Sequence, residues 1–151
     1  MAEDWAKTIA KKVESRIAEE ADKTATLRKR FEDGIQRFRK QVLDLVASVN
    51  SNIATEPNRI QTILLDNGIV MAAAYKRMMT VEEIGVTPGV PACVGKVVIQ
   101  RENRKAAAPT EPEEIYLTSA GTQTAFYHYV GKDLKIMSDA EFRQIVEYFA
   151  S

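Results

Sequence analysis

The residues best suited to chemistry in this 151-residue chain are one cysteine, Cys93, and one histidine, His128. A thiol with an imidazole base is a nucleophilic pair when the fold brings the two together. Cys93 sits in a Pro/Gly-rich turn or at a strand start, where a nucleophile could stand exposed; the plainer reading makes it a small apolar strand residue and His128 a sheet-face residue. One histidine and one cysteine cannot supply a zinc tetrad, so no metal or cofactor is expected. Glu111, Glu113 and Glu114 cluster but lack the spacing of a calcium loop, and read as a solvated acidic loop. Gly89 through Gly95-Lys96 has some look of a phosphate loop, but the spacing is wrong, and Val97 stands where Ser or Thr would hold magnesium.

Two further groups of side chains could bind. Arg28, Lys29, Arg30, Arg37, Arg39 and Lys40 would suit phosphates. They surround a helix on several faces, however, with Glu32 and Asp33 among them, as flanking charges of a coiled coil would. Nucleic acid is therefore not the expected partner. Tyr116, Phe126, Tyr127 and Tyr129 could line a ligand pocket or a docking face, or fill a core on alternate sides of a sheet.

The element that must carry these groups begins at Trp5. Apolar residues recur three or four apart: Trp5, Ile9, Val13, Ile17, then Leu27, Phe31, Ile35, Phe38, Val42, Leu45, Val49 and Ile53. That is a helical stripe. From Phe31 to Val49 it alternates four and three, the seven-residue repeat of a left-handed coiled coil. Trp5 to Ile17 steps by four, which favours straighter packing. Glu19 to Thr26 offers only alanines and threonines, a place where a hairpin could bend, and Gly34 is a second weak point. Glu3 with Lys7, Glu19 with Lys23 and Asp33 with Arg37 run acid to base at the favourable i,i+4 spacing. The helix should end before Pro57, fraying over Asn50-Ser51-Asn52.

A helix from Trp5 to Val49 would span about 65 to 70 Å. A compact domain made from the rest is about 25 to 30 Å across. Most of the stripe should therefore project and need a partner. The expected organisation is a helical oligomerisation segment over 1–56 and a small α+β domain over 57–151. Phe31, Ile35, Phe38, Val42, Leu45 and Val49 are the expected oligomer interface, most simply of a dimer.

Beyond the helix, Ile60 to Leu65 and Ile69 to Tyr75 flank Asp66-Asn67-Gly68, a hairpin signal because Asn-Gly accepts positive φ. A helix over Val70 to Met79 competes. Thr80-Val81-Glu82-Glu83 resembles a capping box that could open one helical turn ending near Gly85. Val94 to Arg101 reads as a strand, Asn103 to Glu113 as a loop, Glu114 to Ser119 and Thr122 to Val130 as strands joined around Gly121, and Leu134 to Met137 as a short strand. Ser138-Asp139-Ala140-Glu141 caps a last helix with Phe142, Ile145, Val146 and Phe149 on one face. The fold class expected is α+β: a long amphipathic helix, an antiparallel sheet of about five strands and a covering C-terminal helix. The element order resembles sensory modules of the PAS or profilin-like kind.

Equal numbers of acidic and basic residues leave no global field toward nucleic acid or membrane. No apolar run reaches membrane-span length, the N-terminus lacks a signal pattern, and a single cysteine suits a reducing, cytoplasmic setting. The functional expectation is a non-enzymatic assembly protein, with a small-molecule sensor and a Cys93/His128 enzyme as alternatives.

Overall fold

Strong helix formers and turn-spaced apolar residues make one continuous helix, α1, over Ala2–Ser51, with Glu3 and Asp4 in its first turn. The computed structural model describes residues 2–106, 110–120 and 123–150. The helix runs unbroken through Glu19 to Thr26, so no hairpin forms there. Beyond it come a 3-10 turn over Glu56–Asn58 that contains Pro57, then β1 (Gln61–Leu65), β2 (Gly68–Ala73), β3 (Lys76–Ile84) and β4 (Cys93–Asn103). The chain continues with β5 (Glu113–Ala120), β6 (Gln123–Val130), β7 (Asp133–Ile136) and α2 (Asp139–Glu147). A last 3-10 turn spans Tyr148–Ala150.

Among the described residues the strands form one antiparallel meander in the order β1 to β7, so the sheet has seven strands where the sequence suggested about five. The difference lies largely at β3. Thr80-Val81-Glu82-Glu83 sits inside that strand and caps no helix. Thr80, Glu82 and Met78 are buried while Val81 and Met79 are half-buried, the alternation of a pleated strand. The Thr80 hydroxyl accepts from the Ile69 amide at 2.9 Å, so its polarity is used across the sheet. The competing helix over Val70 to Met79 is replaced by β2 and β3, whose turn is made possible by Ala74 in the left-handed region at φ 53°. The hairpin at Asp66-Asn67-Gly68 does form, but neither Asn67 nor Gly68 takes a positive φ. Gly68 serves close approach instead: a Cβ there would overlap the Thr80 carbonyl oxygen of β3. Ala107, Ala108, Pro109, Gly121 and Thr122, on which parts of the expected loop and of the β5–β6 connection fall, lie outside the described residues.

The core sits between one face of this sheet and the two helices. Ile35, Phe38, Val42 and Val46 of α1 meet Ile69, Met71, Met78, Val97, Ile99, Ile115, Leu117 and Phe126 of the sheet. Phe142, Ile145 and Val146 of α2 close it. Phe38 contacts Phe126 and Phe142 at ring centroid distances of 5.8 and 5.9 Å. The helix approaches closely because two facing positions lack side chains. A Cβ at Gly34 would stand 2.8 Å from Thr124 Cγ2, and one at Gly95 would overlap the Phe31 ring. Gly34, a weak point by propensity, is thus a contact point by packing.

Polar groups fix the ends. Asn50 exchanges two hydrogen bonds with the Ile60 backbone, at 2.8 and 3.0 Å, tying the end of α1 to the start of β1. Lys76 is buried and donates to the Tyr148 carbonyl at 2.8 Å. Ser138 and Glu141 form the expected reciprocal capping box on α2. Of the expected i,i+4 pairs on α1, Arg37 instead donates to the Thr124 carbonyl at 3.0 Å, and Lys23 pairs with Glu20 at 4.0 Å.

Candidate functional site

The six residues expected to form an intermolecular seam lie largely inside the protein's own core. Ile35, Phe38 and Val42 are buried, Phe31 and Leu45 are partly buried against the same cluster, and only Val49 is exposed. The physical reason is that α1 lies across the helix-facing side of its own sheet, which satisfies the stripe within the chain. The buried set also includes Val46, which the seven-residue spacing passed over. Its steps from Ile35 through Phe38 and Val42 are three, four and four, the spacing of a straight helix on a sheet. The signal was present as Val42 with Val46 at i,i+4.

What remains unpartnered is the other half of the helix. Trp5, Ile9, Val13 and Ile17 are exposed, Trp5 by 69% and Ile17 by 65%. At 100° per residue they continue the face that Phe31 and Phe38 turn toward the sheet. Ala2 to Thr26, about 35 to 40 Å of helix, carries this strip clear of the sheet.

Cys93 and His128 are not brought together. Cys93 is buried on the sheet face away from the helices, with Val90 and Tyr116, and its thiol donates to the Gly95 carbonyl at 3.4 Å. His128 follows Phe126 by two residues on β6, so it shares the helix-covered face, where its Nε2 meets the Glu141 carboxylate of α2. The sheet separates thiol from imidazole. The Glu141 carboxyl is held below its ordinary range, first by the Ser138 amide and hydroxyl, then by His128.

The acidic cluster is also divided. Glu113 pairs with Arg101 at 2.6 Å, while Glu114 pairs with Lys96 at 3.3 Å and accepts from the Tyr116 hydroxyl at 2.5 Å. Neighbours in one strand face opposite ways, so these carboxylates do not converge. Among the described residues no three His, Cys, Asp or Glu side chains gather as a metal site. Burial, then Glu114, pushes the Tyr116 phenol up to about 12, and the same hydrogen bond holds Glu114 below its ordinary value.

The basic cluster is partly consumed in structure. Arg39 makes two 2.6 Å bonds to Glu82 and donates to the Leu65 and Asp66 carbonyls, Arg37 holds Thr124, and Lys40 holds Asp44 at 2.8 Å. Arg28, Lys29 and Arg30 stand exposed on the helix. The Gly89 to Lys96 stretch is no phosphate loop: Gly95 lies within β4, under Phe31. Of the aromatics, Phe126 is core, while Tyr116 and Tyr129 stack edge to face at 5.7 Å on the outer face.

One apolar groove of about 440 Å³ lies where the end of α1 meets α2. Leu45, Val49, Ile53, Ile60, Val146 and Phe149 line it, with Arg143 and Glu147 also on its wall. Among the described residues no helix is long and apolar enough to cross a membrane. Comparison with known proteins finds no family model, no curated protein and no solved structure that matches this chain.

Proposed function

We propose that this is a non-enzymatic assembly protein that self-associates through its N-terminal helix and presents its α+β domain to a partner. The observation that carries the reading is the exposed strip Trp5, Ile9, Val13 and Ile17 on the projecting half of α1. Each large apolar side chain left in water forfeits about 1.5 to 3 kcal/mol that a partner surface would recover. A second copy of the same strip is the simplest partner, giving a two-fold helix pair. The seam lies at residues 5 to 17, since residues 35 to 46 are already covered by the sheet. A reducing, cytoplasmic setting belongs to the same reading, because the lone thiol is buried and unpaired.

The test is the solution mass of the intact chain beside a full-length variant carrying Trp5→Glu, Ile9→Glu and Val13→Glu. The reading expects a multiple of the chain mass for the first and a smaller assembly for the second. Equal masses would remove it.

A second reading, a small-molecule sensor, is favoured by the groove between the end of α1 and α2. Its volume and apolar lining fall within the range of ligand sites. A thermal-shift screen of apolar metabolites should then find compounds whose effect disappears when Val146→Trp fills the groove. A hit that is insensitive to Val146→Trp would place the ligand elsewhere.

A further inference from the structure

The two edges of the sheet are built differently. At one edge, β7 has four residues, Asp133 and Lys135 among them, with Lys132 just before it. Short length and charge, lysine above all, are the usual protection of an edge against pairing with another chain. At the other edge β1 reads Gln61-Thr62-Ile63-Leu64-Leu65, with no charge and no proline. All five residues are exposed, Ile63 by 61% and Leu64 by 59%. The register sets Leu64 opposite Ile69, on the helix-covered face, and Ile63 opposite Val70, on the outer face. Apolar side chains are therefore exposed on both faces of one free edge.

That edge also defines the shape of what covers it. Alternate residues of an antiparallel edge strand point N–H and C=O groups outward, and only an extended strand can satisfy such a row. The ends of β1 carry opposite charge, Arg59 before it and Asp66 after it. With Ile63 at the centre, an antiparallel copy sets Arg59, whose Nε also donates to its own Ile53 carbonyl, opposite the partner's Asn67 and one residue from its Asp66, so that the positive end of each strand meets the negative end of the other; a parallel copy would set like beside like. Two-fold symmetry about an axis through the sheet requires the antiparallel arrangement and keeps the helices of both copies on one side.

We infer that β1 pairs with β1 of a second copy, antiparallel about Ile63, joining two seven-stranded sheets into one. Thr62 then lies opposite the partner's Leu64, and Ile63 opposite the partner's Ile63. This surface is separate from the projecting helix, and either could exist without the other.

The test places a thiol on the proposed axis. Opposed residues of an antiparallel pair lie within disulfide reach, so the full-length Ile63→Cys variant should form a covalent dimer under mild oxidant. The comparison is Ile136→Cys on β7, also exposed, with unsubstituted protein controlling for the buried Cys93. Circular dichroism verifies that each variant is folded. Crosslinking at Ile63→Cys should be roughly tenfold or more faster than at Ile136→Cys, because pairing raises the effective thiol concentration. Adding Leu64→Lys should return it to the slow rate. Fast crosslinking that persists when Trp5→Glu, Ile9→Glu and Val13→Glu are added supports strand pairing whatever the helix does. Equal rates at the two edges, or a rate indifferent to Leu64→Lys, overturn the strand proposal, while the helix reading is still judged by its own mass measurement.

Discussion

Arg39 of α1 and Glu82 of β3 are joined by two hydrogen bonds of 2.6 Å, and the Glu82 side chain is only 4% exposed. The same guanidinium reaches the Leu65 and Asp66 carbonyls, so one side chain fastens the helix to β3 and to the β1–β2 turn. Removing it leaves a buried carboxylate without its cation. Arg39→Ala should cost about 3 kcal/mol, near the low end for a broken buried pair because Arg39 keeps some solvent contact. Arg39→Met with Glu82→Met should cost clearly less than Arg39→Ala alone, since no charge is left stranded. Urea unfolding of the variants measures both.

Gly95 and Phe31 form a second contact whose sign can be checked. A methyl group at Gly95 overlaps the Phe31 ring and stands 2.7 Å from the Glu83 carbonyl. Gly95→Ala should destabilise by about 1 to 3 kcal/mol through overpacking. Phe31→Leu in the same chain should recover part of that loss, and a double-mutant cycle reads the coupling.

Tyr116 and Glu114 predict a pH dependence. Burial and the carboxylate push the phenol from its ordinary 10.0 up to about 12. Between these values the folded chain keeps a proton that the unfolded chain releases, so stability is present below pH 10 and falls as pH rises toward 12. Glu114 shifts the opposite way, below its ordinary 4.5, so its contribution is present above that value and is lost as pH falls through the depressed folded value. Chemical unfolding across an alkaline series should show the decline, and Tyr116→Phe should flatten it. An unchanged slope in Tyr116→Phe would assign the alkaline loss to other groups.

Phe38 and Trp5 lie on one helix face yet should behave in opposite ways. Phe38 is fully buried among Phe126, Phe142 and the sheet, so Phe38→Ala should cost about 3 to 5 kcal/mol. Trp5→Ala should change the unfolding free energy of the single chain by no more than about 0.5 kcal/mol, the range of exposed positions. Its effect should appear in solution mass instead.

Local pattern carried the elements whose cause is local. The stripe on α1, the strands on either side of Asp66-Asn67-Gly68, and the Ser138/Glu141 cap are each set by neighbours within four residues, and each stands where the sequence put it. The β3 segment shows the limit of local pattern: Thr80 to Glu83 carries a helix-capping signature, and strand pairing on both sides overrides it.

The residues alone determined which side of α1 is apolar and where β1, β2, β4 and α2 would form. Only the tertiary structure decided what covers that side, because periodicity encodes a face and not its partner. Residues 35 to 46 found it in the chain's own sheet, while Trp5, Ile9, Val13 and Ile17 stay exposed. It likewise decided the fate of Cys93 and His128. Strand pairing set which face of the pleat each occupies, and a thiol and an imidazole on opposite faces of one sheet share no chemistry.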